Sequence, residues 1–466
     1  MKLDLKNEDS KQLLEFHGGL FGALTPFIIF IVGVVTIALA GAPDEKGFWP
    51  ILLLAIGVGL ILAKNRTAFS EIIISGMSQK IVMIMIMAWM LASIIGVLMT
   101  LTGFVEALIW ISDQLSLDSI SFVITTYIIC CIVSLSTGSS FATILICSPL
   151  LYPTGGILGA HLPSLAGAII GGAAFGDFIA PISDTTIASA LSQQAKIGKV
   201  VKSRIKYVAP AAVLALIGYT LTATLFHSNK SSSEIMLAGE SEGLLMLAVP
   251  IVTIFLFLKG KHLVHGLLFG LLFGTLLGVI SGLLSFEQVI SLDLENFAAK
   301  SFVIEGINRA VGLSVFTMLL MGLVATLKAS GIMTKLVNFA TFHTKTKKQA
   351  ESWIISVMSA AVLFTTHSIV AILMVTDFSN KTGDKLGIPK IRRANLLSLV
   401  ACIFPFVLPY FIPVILMANM TNTGQEFGVA QVSSLDVGLY NFMSWGLLIV
   451  TFMTIFIKFK NVKHDK

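Results

Sequence analysis

Apolar windows of about 20 residues recur along the chain, the length a helix needs to cross the hydrocarbon core of a bilayer. They fall at 20–41, 49–63, 81–112, 205–226, 243–258, 263–284, 312–328 and 438–458, and each predicts a spanning helix. Three further stretches, 119–151, 163–195 and 351–418, are apolar but interrupted by Gly, Pro, Ser and Thr. They predict helices that turn or break at membrane depth, which is tolerated where the freed backbone lines protein or a water-filled cavity.

Basic residues set the orientation. Lys196, Lys199, Lys202, Arg204 and Lys206 form one cluster, Lys335, Lys345, Lys347 and Lys348 a second, and Lys458, Lys460, Lys463 and Lys466 a third. Under the positive-inside rule all three face the cytoplasm, which places both termini inside. Only Lys46, Lys230, Lys300 and Arg309 are then left outside. The segments 328–350 and 378–394 (Lys381, Lys385, Lys390, Arg392, Arg393) are both basic, yet one apolar stretch separates them. That stretch must enter and leave on the same side, so 351–377 is predicted as a re-entrant hairpin with Thr365, Thr366, His367 and Ser368 at its tip. The stretch 119–151 carries Thr137, Gly138, Ser139 and Ser140 at its middle, with Asp113 and Asp118 before it and no Lys or Arg over 152–162. It predicts a hairpin entered from outside.

Segment starts at 20, 49, 81, 119, 163 and 205 recur, with opposite orientation, at 243, 263, 312, 351, 395 and 438. The expected fold is an all-α polytopic membrane protein built as an inverted-topology repeat, with about 10 spanning helices, two re-entrant hairpins and two broken helices. Its parts are a cytoplasmic segment 1–19, a first repeat 20–226 (hairpin 119–151, broken helix 163–195), an extracytoplasmic linker 227–242, a second repeat 243–458 (hairpin 351–377, broken helix 395–418) and a cytoplasmic tail 459–466. Such a repeat suits alternating access.

Of 466 residues, 56% are hydrophobic and 12% charged, against roughly 25% charged in soluble domains. That excludes a soluble enzyme, a disordered chain, a coiled coil and a secreted disulfide scaffold. The net charge of +6 reflects loops obeying the charge rule; no basic stripe interleaved with aromatics points to nucleic acid. Cys130, Cys131, Cys147 and Cys402 lie in apolar runs without metal-ligand spacing and read as packing residues. The polar leader Met1–Gly19 contains Asp4, Glu8, Asp9 and Glu15, and the run after it is too long for a signal-peptide core, so an uncleaved first span is expected.

The densest candidate chemistry is the run Gly171-Gly172-Ala173-Ala174-Phe175-Gly176-Asp177-Phe178-Ile179-Ala180-Pro181-Ile182-Ser183-Asp184-Thr185-Thr186. Pro181 removes a backbone donor, so the helix should break between Asp177 and Asp184 and free carbonyls and a helix N-terminus. Carboxylates, hydroxyls and carbonyls then lie within a few residues, the oxygen donors a hard cation such as Na⁺ requires. A carboxylate taken out of water also favours its protonated form, so a proton competes with the metal. Asp184, flanked by hydroxyls, is the first candidate for the exchanging carboxylate and Asp177 the second, with Ser183, Thr185 and Thr186 as ligands and Gly176 and Pro181 supporting. In a soluble protein Ser183-Asp184 would read as an N-cap; with no Lys or Arg in a predicted span, other than at its ends, to pair with them, acids at this depth favour function. Glu106 lies near the end of its span and reads as interfacial, and Asp377 as a solvated boundary residue.

The two tips offer hydroxyls and half-helix N-termini to an anion or a second cation. His367 adds a group suited to proton coupling, and the plainer reading of a satisfied buried histidine stands beside it. Asn395 opens the second broken segment, which carries Pro405, Pro409 and Pro413 but no acid matching Asp177 or Asp184. The spacing of Gly266, Gly270 and Gly274 reads as helix packing.

Gly176-Asp177 followed by Pro181-Ile182-Ser183-Asp184-Thr185-Thr186 resembles the signature of the bacterial NhaC family of Na⁺/H⁺ antiporters, similar to G-D-x-x-S-P-L-S-D-T-T. Thr137-Gly138-Ser139-Ser140-Phe141-Ala142-Thr143 resembles the same family's preceding segment. The resemblance implies an ion-transporter-type fold with paired hairpins and broken helices, often associated with elevator-like movement. It also implies Na⁺ and H⁺ coupling in a bacterial cell membrane. The family includes malate/lactate exchangers and amino-acid carriers, and the tips resemble carboxylate-binding tips of related transporters. At Arg392-Arg393-Ala394-Asn395 the chain departs from the family, which often has acids there.

The expected function is therefore secondary Na⁺/H⁺ antiport, outward Na⁺ against inward H⁺, with Na⁺ held at Asp184 and Asp177. The alternative is Na⁺- or H⁺-coupled movement of a small carboxylate or amino acid. An integral membrane enzyme is remote, since His17, His161, His227, His262, His265 and His343 are scattered without acid partners. No cofactor is expected beyond the transported ions, no partner beyond the bilayer and the small organic solute, and a homodimer is compatible with the reading.

Overall fold

Helix ends fall where the sequence supplies a capping side chain or a residue able to turn left-handed. In the computed structural model, which describes residues 14–39, 45–226, 241–293 and 298–456, the first helices are α1 (Leu20–Leu39), α2 (Trp49–Leu62), α3 (Arg66–Met77), α4 (Lys80–Leu101) and α5 (Phe104–Gln114). There follow α6 (Ser119–Thr137), α7 (Ser140–Ile157), α8 (Leu162–Ile179), α9 (Asp184–Ser192) and α10 (Ile197–Leu225). The second half brings α11 (Ala248–Leu258), α12 (Leu263–Ser281), the turn α13 (Phe286–Val289), α14 (Phe302–Ala329) and α15 (Ile332–His343). It closes with α16 (Lys347–Thr365), α17 (Ser368–Lys385), α18 (Lys390–Ala401), α19 (Ile412–Met420), α20 (Ser434–Leu439) and α21 (Phe442–Phe456). A short antiparallel pair, β1 (Ser291–Asp293) and β2 (Ala298–Lys300), sets Leu292 opposite Ala299. Most of the 1–19 segment, nearly all of the 227–242 linker and the 459–466 tail lie outside the described residues.

Among the described residues eight helices are long and apolar enough to cross a membrane, and three shorter apolar helices accompany them. The chain is an all-α polytopic membrane protein. Several boundaries differ from the hydropathy reading for local reasons. The 81–112 run divides at Gly103, whose φ of 70° caps α5. The capping box of Thr346 and Gln349 starts α16 at Lys347, inside the basic segment assigned to a loop. The amphipathic helices α3 and α15 occupy stretches too polar to register as spans.

From α4 to α19 the elements recur at a constant offset of 228 residues. The ends of α4 and α14, the starts of α5 and α15, both bounds of α6 and α16, both bounds of α7 and α17, the starts of α8 and α18, and both bounds of α9 and α19 all keep it. Backbone detail follows. Gly103 and Gly331 precede α5 and α15 with φ of 70° and 69°, and Ser139 and His367 precede α7 and α17 at φ/ψ of −138°/116° and −139°/115°.

The protein's inner and outer helices separate by burial. In the span containing α8 and α9, 78% of the apolar window is buried, and in α7 83%, against 28% for α10 and 33% for α1. The outer apolar faces suit lipid contact. Small residues bring the inner helices together: a Cβ on Gly172 would lie 2.4 Å from the Cys130 Cβ, and one on Gly176 2.2 Å from the Ser134 Oγ. Ser134 also donates to the Ala173 carbonyl at 2.7 Å, fixing α6 against α8 beside the helix break. Gly270 meets Thr253 and Gly274 meets Val249, the packing role read from their spacing.

Candidate functional site

The break between α8 and α9 is built from the Ala180-Pro181 pair. Ala180 leaves the helix at φ/ψ of −64°/130°, and α9 restarts at Asp184. Ser183 occupies the N-cap position of α9, yet its side chain makes no cap hydrogen bond. Its hydroxyl turns back and donates to Asp177 Oδ1 at 2.6 Å. Thr185 Oγ1 lies 3.2 Å from the same oxygen and 3.0 Å from the Asp177 carbonyl, and 2.9 Å from the Ser183 hydroxyl. Ser140, the first residue of α7, donates to Asp177 Oδ2 at 3.5 Å, and Thr186 to the Asp177 carbonyl at 3.5 Å.

Asp177 is thus a buried carboxylate, 7% exposed, ringed by hydroxyls from the far side of the break and from the first tip. The donors are all oxygen; among the described residues no group of three His, Cys, Asp or Glu side chains converges to hold a metal. Asp184 is placed differently from the sequence expectation. It stands exposed at the first position of α9 and, among the described residues, accepts no hydrogen bond.

The first tip sits on this break. Gly138 takes φ of 65°, and a Cβ there would fall 2.5 Å from Ile182 Cγ1. Ser139 accepts from the Ala142 amide at 3.2 Å and so caps α7, while Thr137 Oγ1 turns toward the Ser139 backbone. At the second tip Thr366 carries the left-handed conformation (φ 51°), Thr365 turns toward the His367 backbone in the same way, and Ser368 donates to the Ala401 carbonyl at 2.9 Å. His367 holds the position of Ser139 but caps nothing, and its Nδ1 is buried without a hydrogen-bond partner. Each tip therefore packs against the broken helix of its own half; among the described residues no hydrogen bond joins one tip to the other.

One residue of the site was read otherwise from sequence. Arg204, grouped there with the cytoplasmic lysines, lies in α10 and is 0% exposed. It donates to the Phe178 carbonyl at 2.5 Å, to Thr186 Oγ1 at 2.6 Å, to Ser189 Oγ at 2.9 Å, to Ser398 Oγ at 2.6 Å and to Asn395 Oδ1 at 3.3 Å. Its guanidinium also lies over the Phe178 ring, 5.0 Å from the centroid. The expectation that no Arg enters the interior is corrected. The helical face of Val200, Arg204, Tyr207, Val208 and Ala211 is buried while the neighbouring lysines point away, a 3–4 spacing visible in the sequence once α10 is started at Ile197. Asn395, expected as a supporting residue, reaches this cluster and donates to Ser203 at 2.7 Å.

The arginines at 392 and 393 are likewise structural rather than solvated. Arg393 is 1% exposed and donates to the Ser379 and Asn380 carbonyls and to Asp384. Arg392 pairs with Glu351 through two nitrogens at 3.2 and 2.9 Å and donates to Tyr207. Asp377 is exposed, and one carboxylate oxygen of Glu106 is buried without a partner. The four cysteines are free.

Residues 19–224 match the Na⁺/H⁺ antiporter family. Over 209 residues the chain is 28% identical to the malate-2H⁺/Na⁺-lactate antiporter of Bacillus subtilis (strain 168), covering 43% of this chain and 44% of that protein. Over 136 residues it is 35% identical to the Na⁺/H⁺ antiporter NhaC of Alkalihalophilus pseudofirmus, 29% of each. The alignments thus span less than half the length of either curated relative. A solved structure of MtrF from Neisseria gonorrhoeae, described as illuminating a class of antimetabolite efflux pumps, aligns over 94% of this chain and 95% of that one at 17% identity and a TM-score of 0.36. The matched residues 19–224 hold Asp177, Asp184 and the NhaC-like motif around them, so the similarity to the Na⁺/H⁺ antiporter family falls on the stretch that contains the helix break.

Proposed function

We propose that the protein is a secondary transporter that exchanges cytoplasmic Na⁺ for external H⁺ at Asp177. One observation carries the reading: a buried carboxylate at a helix break, facing the hydroxyls of Ser183, Thr185 and Ser140, with its residue's carbonyl reached by the same Thr185 hydroxyl. These oxygens suit a hard monovalent cation, and the same carboxylate can take a proton instead. Because both ions need Asp177, occupancy by one excludes the other, and that exclusion is the coupling. Asp184 then serves at the mouth of the site, its negative charge at the α9 N-terminus drawing in cations. The ions are cargo, and the protein needs no resident cofactor and catalyses no covalent reaction.

The 228-residue recurrence supports an inverted repeat of 20–226 and 243–458, with α6/α7 and α16/α17 as hairpins entered from opposite sides. We place the protein in a bacterial cell membrane with both termini in the cytoplasm, on the strength of the lysine clusters. A second reading has a specific support of its own: similarity to a malate/lactate antiporter over a stretch of the chain, and two hydroxyl-bearing tips at helix N-termini suited to a carboxylate.

The test uses purified protein in liposomes with a trapped pH dye, given Na⁺, K⁺ or Li⁺ and then malate, lactate or amino acids. Na⁺-driven proton movement without organic solute is expected. Proton movement that appears only with an organic solute would replace the antiport reading with the second one.

A further inference from the structure

Arg204 presents an electrical problem that its hydrogen bonds leave unsolved. A guanidinium has five N–H donors, and all five are used here: Nε on Asn395, Nη1 on the Phe178 carbonyl and Thr186, Nη2 on Ser189 and Ser398. Every acceptor is neutral, and among the described residues no carboxylate lies within ion-pair distance. Buried charges are ordinarily paired, because an uncompensated one is costly in a low-dielectric interior. An arginine cannot relieve this by losing its proton. The nearest counter-charge along these contacts is Asp177. Its carboxylate belongs to the residue before Phe178, and Thr186 accepts from Arg204 while donating to the Asp177 carbonyl.

We infer that Arg204 is the fixed counter-charge of the ion site, a positioning residue that weakens Na⁺ binding at Asp177 so that the ion can leave. The inference rests on the assignment of Na⁺ to Asp177. When the carboxylate is empty, Asp177 and Arg204 together are neutral. When Na⁺ sits on Asp177, the pair carries one net positive charge inside the protein. Arg204 therefore stabilises the empty state relative to the loaded one. In surroundings of intermediate dielectric, two unit charges even about 10 Å apart shift an affinity by on the order of tenfold. Through Ser398 and Asn395 the same side chain ties the break in the first half to α18 of the second, so the counter-charge is held by both halves.

The test compares Arg204→Gln, Arg204→Lys and Asn395→Asp in liposomes, reading the KM for Na⁺ separately from maximal turnover. Asn395→Asp keeps Arg204 and sets a carboxylate beside its Nε, so it neutralises the charge without removing the side chain. Removing or neutralising the charge should lower the KM for Na⁺ by about tenfold, and Arg204→Lys should stay near the parent value. A merely structural arginine behaves otherwise: loss of its hydrogen bonds lowers turnover and leaves KM unchanged or raised. An unchanged or raised KM in Asn395→Asp, with the protein intact in the membrane, overturns the inference even if Arg204→Gln does not fold. Asp177→Asn run alongside separates the two ideas. If that variant still exchanges Na⁺ for protons, the site assignment itself fails; if it is inactive while KM in the charge variants does not fall, only the role of Arg204 fails.

Discussion

Ser183→Ala isolates one contact of the proposed ion site. The Ser183 hydroxyl lies 2.6 Å from Asp177 Oδ1, shorter than the Thr185 contact at 3.2 Å or the Ser140 contact at 3.5 Å to the same carboxylate. A hydrogen bond to a charged group contributes about 1.5–3 kcal/mol net, and as an ion ligand the oxygen is lost altogether. The KM for Na⁺ should therefore rise by roughly 10- to 100-fold. Because Ser183 does not cap α9, the helix start loses nothing, and the melt should report only the loss of this one buried hydrogen bond, about 1.5–3 kcal/mol. The assay is Na⁺-dependent proton movement in liposomes, with a thermal melt of the same preparation. A KM that stays within about twofold of the parent, for a stably folded variant, would show that this hydroxyl is no part of the ion site.

Four further outcomes follow from named contacts. Gly138→Ala forces a side chain into a left-handed backbone and against Ile182, so it should cost about 2–4 kcal/mol in a melt and uncouple the first tip from the helix break. Arg393→Ala strips a buried side chain from the Ser379 and Asn380 carbonyls and from the cradle at Gly383, and should destabilise by about 2–4 kcal/mol; Asp384→Asn, at a carboxylate 69% exposed, should cost under about 1 kcal/mol. Before the first helix, the Lys64 ammonium donating to Glu15 holds that carboxyl below the usual carboxylate range. A lowered native value means the pair contributes above the unfolded value and loses its contribution as pH falls through the lowered one, so any melt difference between the parent and Glu15→Gln should be small at neutral pH and vanish in acid.

Much of this molecule was legible in the order of its residues. Pro181 and the flanking small residues located the break between α8 and α9, and the Gly/Ser/Thr clusters located both hairpin turns, because each supplies a backbone feature that a continuous helix cannot accommodate. Polar helices were harder. In α3 and α15 the apolar positions cover one face only, so a window average reads them as loops. The direction of the hydroxyls was out of reach, since they flank Asp184 in sequence while the turn of the break delivers Ser183 and Thr185 to Asp177. Arg204 was obscured by its neighbours: lysines at 199, 202 and 206 made the run look solvated, and only the helical period sets 204 apart from them.

The most direct test of the central claim is to place Asp177→Asn and Asp184→Asn side by side in liposomes and follow Na⁺-driven proton movement. With both variants present in the membrane, Asp177→Asn should abolish exchange, while Asp184→Asn should keep it with a raised KM for Na⁺. Exchange that survives Asp177→Asn and disappears in Asp184→Asn would contradict the account, because the ion would then be held at the exposed carboxylate and not at the buried one.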